Sequence, residues 1–98
     1  MAFELLIDYR AYQDVEDAIA HYMSKSVKVA NKLYDTIEGA YDLLEKNPFF
    51  QIRYKDYRCL PIKGFPYMLH FSINENKNIV HIHALINTSK NPATNWIK

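Results

Sequence analysis

Residues 57–86, YRCLPIKGFPYMLHFSINENKNIVHIHALI, decide the fold. Within them apolar side chains recur at every second position, the period of a strand with one buried face. Tyr57 to Lys63, Pro66 to Ile73 and Ile79 to Ile86 read as three strands. Lys63-Gly64-Phe65 breaks the first from the second, and the polar run Asn74-Glu75-Asn76-Lys77-Asn78 makes a hairpin loop between the second and third. Tyr67, Leu69, Phe71 and Ile73 then share one face of their strand, and Val80, Ile82, Ala84 and Ile86 share one face of theirs. These are the faces expected to meet the rest of the core.

Upstream the period is helical. Phe3 to Ile7 is a short apolar run of strand character. Tyr12, Val15, Ala18, Ile19, Tyr22 and Met23 follow at three- and four-residue spacing, one face of a helix. Ser24-Lys25-Ser26 interrupts, and either serine can cap a second helix. That helix carries the stripe Val27, Ala30, Leu33, Tyr34, Ile37, Ala40, Tyr41, Leu44 and stops at Asn47-Pro48. The segment from Phe49 to Tyr54 reads as loop or strand, and the tail from Asn87 to Lys98 is polar with a lone Trp96. The expected architecture is α+β in a single domain over residues 1–98. A strand and a helical hairpin pack on one face of an antiparallel-rich sheet, leaving the other face for function.

The chain of 98 residues, 49% apolar and 14% aromatic, suits a packed globule and excludes a disordered one. A net charge of +1 provides no strong general field toward nucleic acid, so any such role rests on local clustering. Cys59 is the only cysteine, which excludes an intramolecular disulfide and a cysteine-based zinc site. The N-terminal residues do not read as a signal peptide, and no run approaches the ~20 apolar residues of a membrane helix. A cytoplasmic location and no membrane association are expected.

The segment Arg58-Cys59-Leu60-Pro61-Ile62-Lys63-Gly64-Phe65-Pro66-Tyr67 resembles the strand arginine and Phe-Pro-Tyr turn of the RelE/ParE family of bacterial toxins. Met68 to Ile73 is similar to the family's next strand, and Ile79 to Pro92 with Trp96 to its last strand and basic ending. The helical hairpin and its Asn47-Pro48 stop match as well, so the likeness covers nearly the whole chain. It implies the toxin of a type II toxin–antitoxin (plasmid stabilisation) module, wrapped and blocked by a cognate antitoxin. A homodimer, or a heterotetramer with the antitoxin, are the assemblies that go with it. RelE-like members cut messenger RNA on the ribosome; ParE-like members act on DNA gyrase without known hydrolysis. Arg58 matches the family's strand arginine, Lys90 stands where many members have an arginine, and Asn87 where many have a histidine. Trp96 lacks the hydroxyl that acid–base work by a tyrosine needs. These departures weigh against ribonuclease activity more than against the fold, and a decayed, non-toxic member that still folds and binds an antitoxin is the third reading.

RNA cleavage would need a base, an acid and cations around the reacting phosphate. Arg58, Lys90 and His83 are the candidate catalytic residues, and Lys55, Tyr57, Lys63, Tyr67 and Trp96 the candidate substrate contacts. The Arg58 fork suits two phosphate oxygens; the bland reading pairs it with a carboxylate such as Asp56. Tyr54, Tyr57 and Tyr67, interleaved with Arg53, Lys55 and Lys63, make the one local basic-aromatic cluster. His81 and His83, two apart on a strand, share a face, and His70 joins them on the side opposite the core if the two strands' apolar faces align. One of the three suits a general base; no metal and no cofactor are expected. His21 in the first helix reads as solvated or structural, and Cys59 as a small strand residue.

Overall fold

The computed structural model describes residues 2–50 and 52–88, with the side chains of 52–54 left aside. The element order is β1 (Glu4–Ile7), α1 (Tyr9–Met23), α2 (Val27–Lys46), β2 (Ile52–Tyr54), β3 (Tyr57–Ile62), β4 (Tyr67–Asn74) and β5 (Ile79–Asn87). This is the α+β architecture expected from the sequence, and the segment after Pro48 contains a short strand.

Both helices begin at side-chain caps. The Asp8 carboxylate accepts the Arg10 N–H at 2.9 Å, and the Ser26 hydroxyl accepts the Val29 N–H at 3.3 Å. Each satisfies a donor that the first helical turn leaves open. Of the two candidate serines, Ser26 is thus the cap of α2. Past Asn47 the chain meets Pro48, which is buried and cannot continue a helix.

The sheet runs β1-β5-β4-β3-β2. β1 lies parallel to β5, with Leu5 beside Val80 and Ile7 beside Ile82; the other pairs are antiparallel. A parallel neighbour needs a long connection, and the helical hairpin begins that route. Ala30, Leu33, Ile37, Ala40 and Leu44 of α2 are buried at alternating three- and four-residue steps. Leu33, Ile37 and Leu44 join Leu60, Ile62, Leu69, Phe71, Val80, Ile82 and Leu85 of the sheet in one core. Each such side chain contributes about 1.5–3 kcal/mol by leaving water.

Two expectations need correcting. The stripe on the helices is wider than the core: Tyr12, Met23, Val27 and Tyr34 are exposed, because they lie on the flank of each helix and not on its sheet-facing line. The supposed common face of Val80, Ile82, Ala84 and Ile86 is also broken. Phe71 pairs with Ile82 but His70 with Ala84, so His83 is an extra residue bulged out of β5. Beyond it the alternation changes phase. Leu85 faces the core with Leu69, while Ala84 and Ile86 pair with His70 and Met68 on the opposite side. That opposite side is closed in its middle, where Cys59, His70, Ala84 and Ile86 are all buried. Among the described residues no helix is long and apolar enough to cross a membrane.

Candidate functional site

The bulge sets the geometry of the site. His83, displaced from the ladder, lies beside Ser72 of β4, with Nε2 2.8 Å from the serine Oγ. Its ring packs edge-on to Tyr57 of β3, centroids 5.0 Å apart, and against His81 at 4.2 Å with a tilt of 34°. His81 Nε2 in turn stands 3.7 Å from Asp8 Oδ2, the carboxylate group that caps α1. A row thus runs from the start of α1 across β5 to β3: Asp8, His81, His83, Tyr57, with Ser72 fixing His83. Burial lowers the pKa of His83 below its usual value, and a charge on His81 lowers it further, while Asp8 opposes the shift. His83 is therefore neutral near pH 7, with one ring nitrogen able to accept a proton.

A cavity of about 480 Å³ adjoins this row, lined by Lys55, Asp56, Tyr57, Arg58, Ser72 and Glu75. Tyr57 and Ser72 belong to both. Lys55 occupies the tight β2–β3 turn at φ 51°, a left-handed conformation that favours glycine. Arg58 stands in register with Phe71, on the helix-facing side of the sheet. Its Nη1 donates to the Phe50 carbonyl at 2.6 Å, and its guanidinium lies 5.5 Å from the centroid of the Phe49 ring. Phe49 in turn meets Phe3 edge-on at 5.9 Å. Arg58 thus ties the loop after α2 to β3 while its flank reaches the cavity.

Of the residues expected at a site, Lys55, Tyr57, Arg58 and His83 come together. Lys63 and Tyr67 do not. They stand at the other end of the β3–β4 hairpin, where Tyr67 is buried and packs near Tyr22 at 6.4 Å. Burial raises the Tyr67 phenol pKa, as the neutral form is the one that tolerates desolvation. Lys90 and Trp96 lie outside the described residues, as do the side chains of Arg53 and Tyr54. His70 is on the same side of the sheet as His81, but it pairs with Cys59 and Ala84 and is buried. Among the described residues no group of His, Cys, Asp or Glu is placed to hold a metal ion. His21 is exposed and stacks edge-on with Tyr22 at 5.1 Å.

Sequence reasoning missed Ser72 and Asp8. Ser72 falls between Phe71 and Ile73, at a position of β4 out of phase with the apolar alternation, which is a signal of the face turned away from the core. Asp8 immediately precedes the helical pattern, which marks a cap. Neither signal says that these residues meet histidines more than ten positions away.

Searched by sequence, the chain matches no protein-family model and no curated protein. Its fold does match solved structures. A chain of the chromosomal ParDE TA system from P. aeruginosa superposes with a TM-score of 0.75 at 16% identity, over 88% of this chain and 96% of that one. A chain of the archaeal RelE–RelB complex from Pyrococcus horikoshii gives 0.60 at 14% identity, over 92% and 99%. The isolated E. coli RelE toxin gives 0.53 at 14% identity, over 88% and 84%. The chain has the RelE/ParE-like fold.

Proposed function

We propose that this chain is the toxin of a toxin–antitoxin pair, acting in the cytoplasm and held inactive by a cognate antitoxin. The observation that carries this reading is the end-to-end correspondence with a chain of a ParDE system, 88% of one chain on 96% of the other. The likeness to a chain from a RelE–RelB complex supports a protein antitoxin as partner. Fold alone does not transfer chemistry, and the residues of the site bear on two mechanisms.

The first mechanism is growth arrest by binding a target such as DNA gyrase, with no bond cut. It is favoured by the higher superposition on the ParDE chain, 0.75 against 0.60 and 0.53. It is favoured too by Arg58, whose guanidinium is already engaged by the Phe50 carbonyl.

The second mechanism is cleavage of messenger RNA, and the row at His83 favours it. In that reaction a ribose 2′-oxygen attacks the adjacent phosphorus, and the P–O5′ bond breaks. Neutral His83 takes the 2′-hydroxyl proton, with Ser72 orienting the ring. Lys55 and the half-buried Arg58, both lining the cavity, balance the charge on the phosphoryl oxygens. The departing 5′-oxygen takes a proton from Lys90 in this scheme. Tyr57 offers a base a ring to stack on.

Induction of the chain alone in bacteria separates the two. Under the first mechanism growth stops while early amino-acid incorporation continues, and His83→Gln stays toxic. Under the second, incorporation collapses within minutes and His83→Gln loses that effect. Unimpaired growth, with no rescue needed from any antitoxin, would sink the toxin reading.

A further inference from the structure

A second cavity, of about 470 Å³, lies between α1 and the end of β5. Asp14, Asp17 and His21 line it from α1, at steps of three and four that keep them on one side of the helix. Ala18 and Leu85, 4% and 5% exposed, line it as well and give it an apolar floor. Tyr67 of β4 completes the wall used here. This cavity shares no lining residue with the one beside His83.

The backbone explains why a carboxylate stands at this place. β1 pairs with β5 only as far as Ile7 beside Ile82, so the outer edge of β5 past the bulge has no strand neighbour. Asp14 covers that edge: its Oδ2 accepts the Leu85 N–H at 3.0 Å. Arg10 Nε approaches the same oxygen at 3.7 Å, too long for a hydrogen bond and from an exposed side chain. Asp14 Oδ1 and both Asp17 oxygens accept no hydrogen bond among the described residues. Two carboxylates three residues apart are neighbours on the helix surface and repel each other.

Tyr67 is an independent sign of a ligand. It is 9% exposed, with its ring edge-on to Tyr22 at 6.4 Å between centroids. A buried phenol hydroxyl normally has a hydrogen-bond partner. The Tyr67 hydroxyl has none among the described residues, and the residue lines the cavity. Its open lone pairs therefore stand with those of the two carboxylates.

This set of acceptors selects a cation with many donors. Among the described residues no lysine or arginine lines the cavity. A metal ion does not fit, since no three His, Cys, Asp or Glu side chains are placed to hold one. A guanidinium does fit. It carries five N–H donors in one plane, forks onto carboxylate oxygens, and is weakly enough hydrated to lie on apolar surface.

We propose that this cavity is a binding site for a small guanidinium compound, with Asp17 and Asp14 Oδ1 receiving its forked N–H groups, the Tyr67 hydroxyl accepting another, and its flat face on Ala18 and Leu85. The site is separate from the row at His83, so Asp17→Asn is expected to leave growth arrest unchanged when the chain is expressed alone.

The test titrates isotope-labelled full-length chain with agmatine, and with putrescine, which has the same charge and the same four-carbon spacer but no guanidinium. Saturable amide shifts are expected in Asp14–His21 and Leu85–Asn87 under agmatine, with a dissociation constant below about 1 mM at low salt. Putrescine is expected to bind at least about fivefold more weakly. Asp17→Asn and Tyr67→Phe are each expected to weaken agmatine about threefold to tenfold. Tyr67→Phe keeps the ring and Asp17 is exposed, and unchanged thermal melting confirms that both variants are folded. An end-blocked Gly-Arg-Gly peptide distinguishes a free compound from an arginine side chain: tighter agmatine supports the first source, tighter peptide the second, and both support a guanidinium site. No saturable shift up to about 10 mM, equal binding of putrescine, unweakened binding by both variants, or shifts confined to Lys55–Arg58 and Ser72–Glu75 would each overturn the proposal.

Discussion

On the helix-facing side of the sheet, Leu60 stands in register with Leu69 and Phe71 with Ile82, and all four are between 0% and 8% exposed. On the opposite side, Tyr57, Ser72, His81 and His83 are half-buried, and their polar atoms and rings meet at 2.8 to 5.0 Å. The first set is held by apolar burial, which asks only for volume and fit. The second is held by hydrogen bonding and ring contacts, which ask for particular atoms. The two sides exchange places along β5 at His83, where one inserted residue reverses which side chains turn inward. Arg58 crosses the distinction: a charged residue on the helix side, tolerated because a backbone carbonyl and an aromatic ring receive it.

This contrast can be broken from either side, beginning with the largest effect. Phe71 is fully buried; Phe71→Ala is expected to cost about 3–5 kcal/mol in denaturant melts. Its sheet neighbour on the other face, Ser72→Ala, is expected to cost under about 1 kcal/mol while disturbing His83. A similar loss at both positions would erase the distinction.

Arg58→Ala removes one charge-assisted hydrogen bond and a cation–ring contact, about 1–3 kcal/mol by chemical unfolding. The protein is expected to remain folded at 25 °C and to lose toxicity. A folded Arg58→Ala chain that still arrests growth would leave Arg58 as a fastener of the post-α2 loop alone.

The pH dependence sharpens the comparison on the polar side. The folded pKa of His83 lies below its unfolded value of 6.5. The unfolded chain therefore binds more protons in the interval between them. This contribution to stability is complete above pH 6.5 and declines as pH falls through the folded pKa. His83→Gln is expected to flatten that part of the stability profile. An unchanged slope would mean that His83 is not the group responsible.

The smallest effect concerns the turns. Lys55 at φ 51° and Asn78 at φ 55° occupy left-handed conformations. Glycine at either position is expected to stabilise by about 0.5–1 kcal/mol in thermal melts, with more at Lys55 because asparagine tolerates the region better. If Lys55→Gly gains stability and loses toxicity, the lysine is held there for its charge. If it gains stability and keeps toxicity, its ammonium group is dispensable.

Much of this fold was legible along the chain. The change of period after Pro48, the serine break between the helices and the polar run from Asn74 to Asn78 each act over a few residues, so local reading finds them. The candidate site was legible in part. Lys55, Tyr57 and Arg58 are neighbours in sequence and remain neighbours in space. His83 was visible as a histidine on a strand, but Ser72 and Asp8 were not visible as its surroundings. Tyr67 was misplaced by the same logic: its closeness to Arg58 in sequence spans a hairpin whose two ends face different parts of the molecule.

Residue order by itself determined the two helices, the break between them, the three later strands and the apolar line along β4, because periodicity and turn chemistry are properties of one segment. Only the tertiary structure decided that β5 bulges at His83, that Arg58 turns beneath Phe49 and Phe50, and that Asp8 stands beside His81. Each of these depends on the register between segments far apart in sequence. A shift of one residue in a strand pair costs nothing in local pattern and reverses every side chain beyond it.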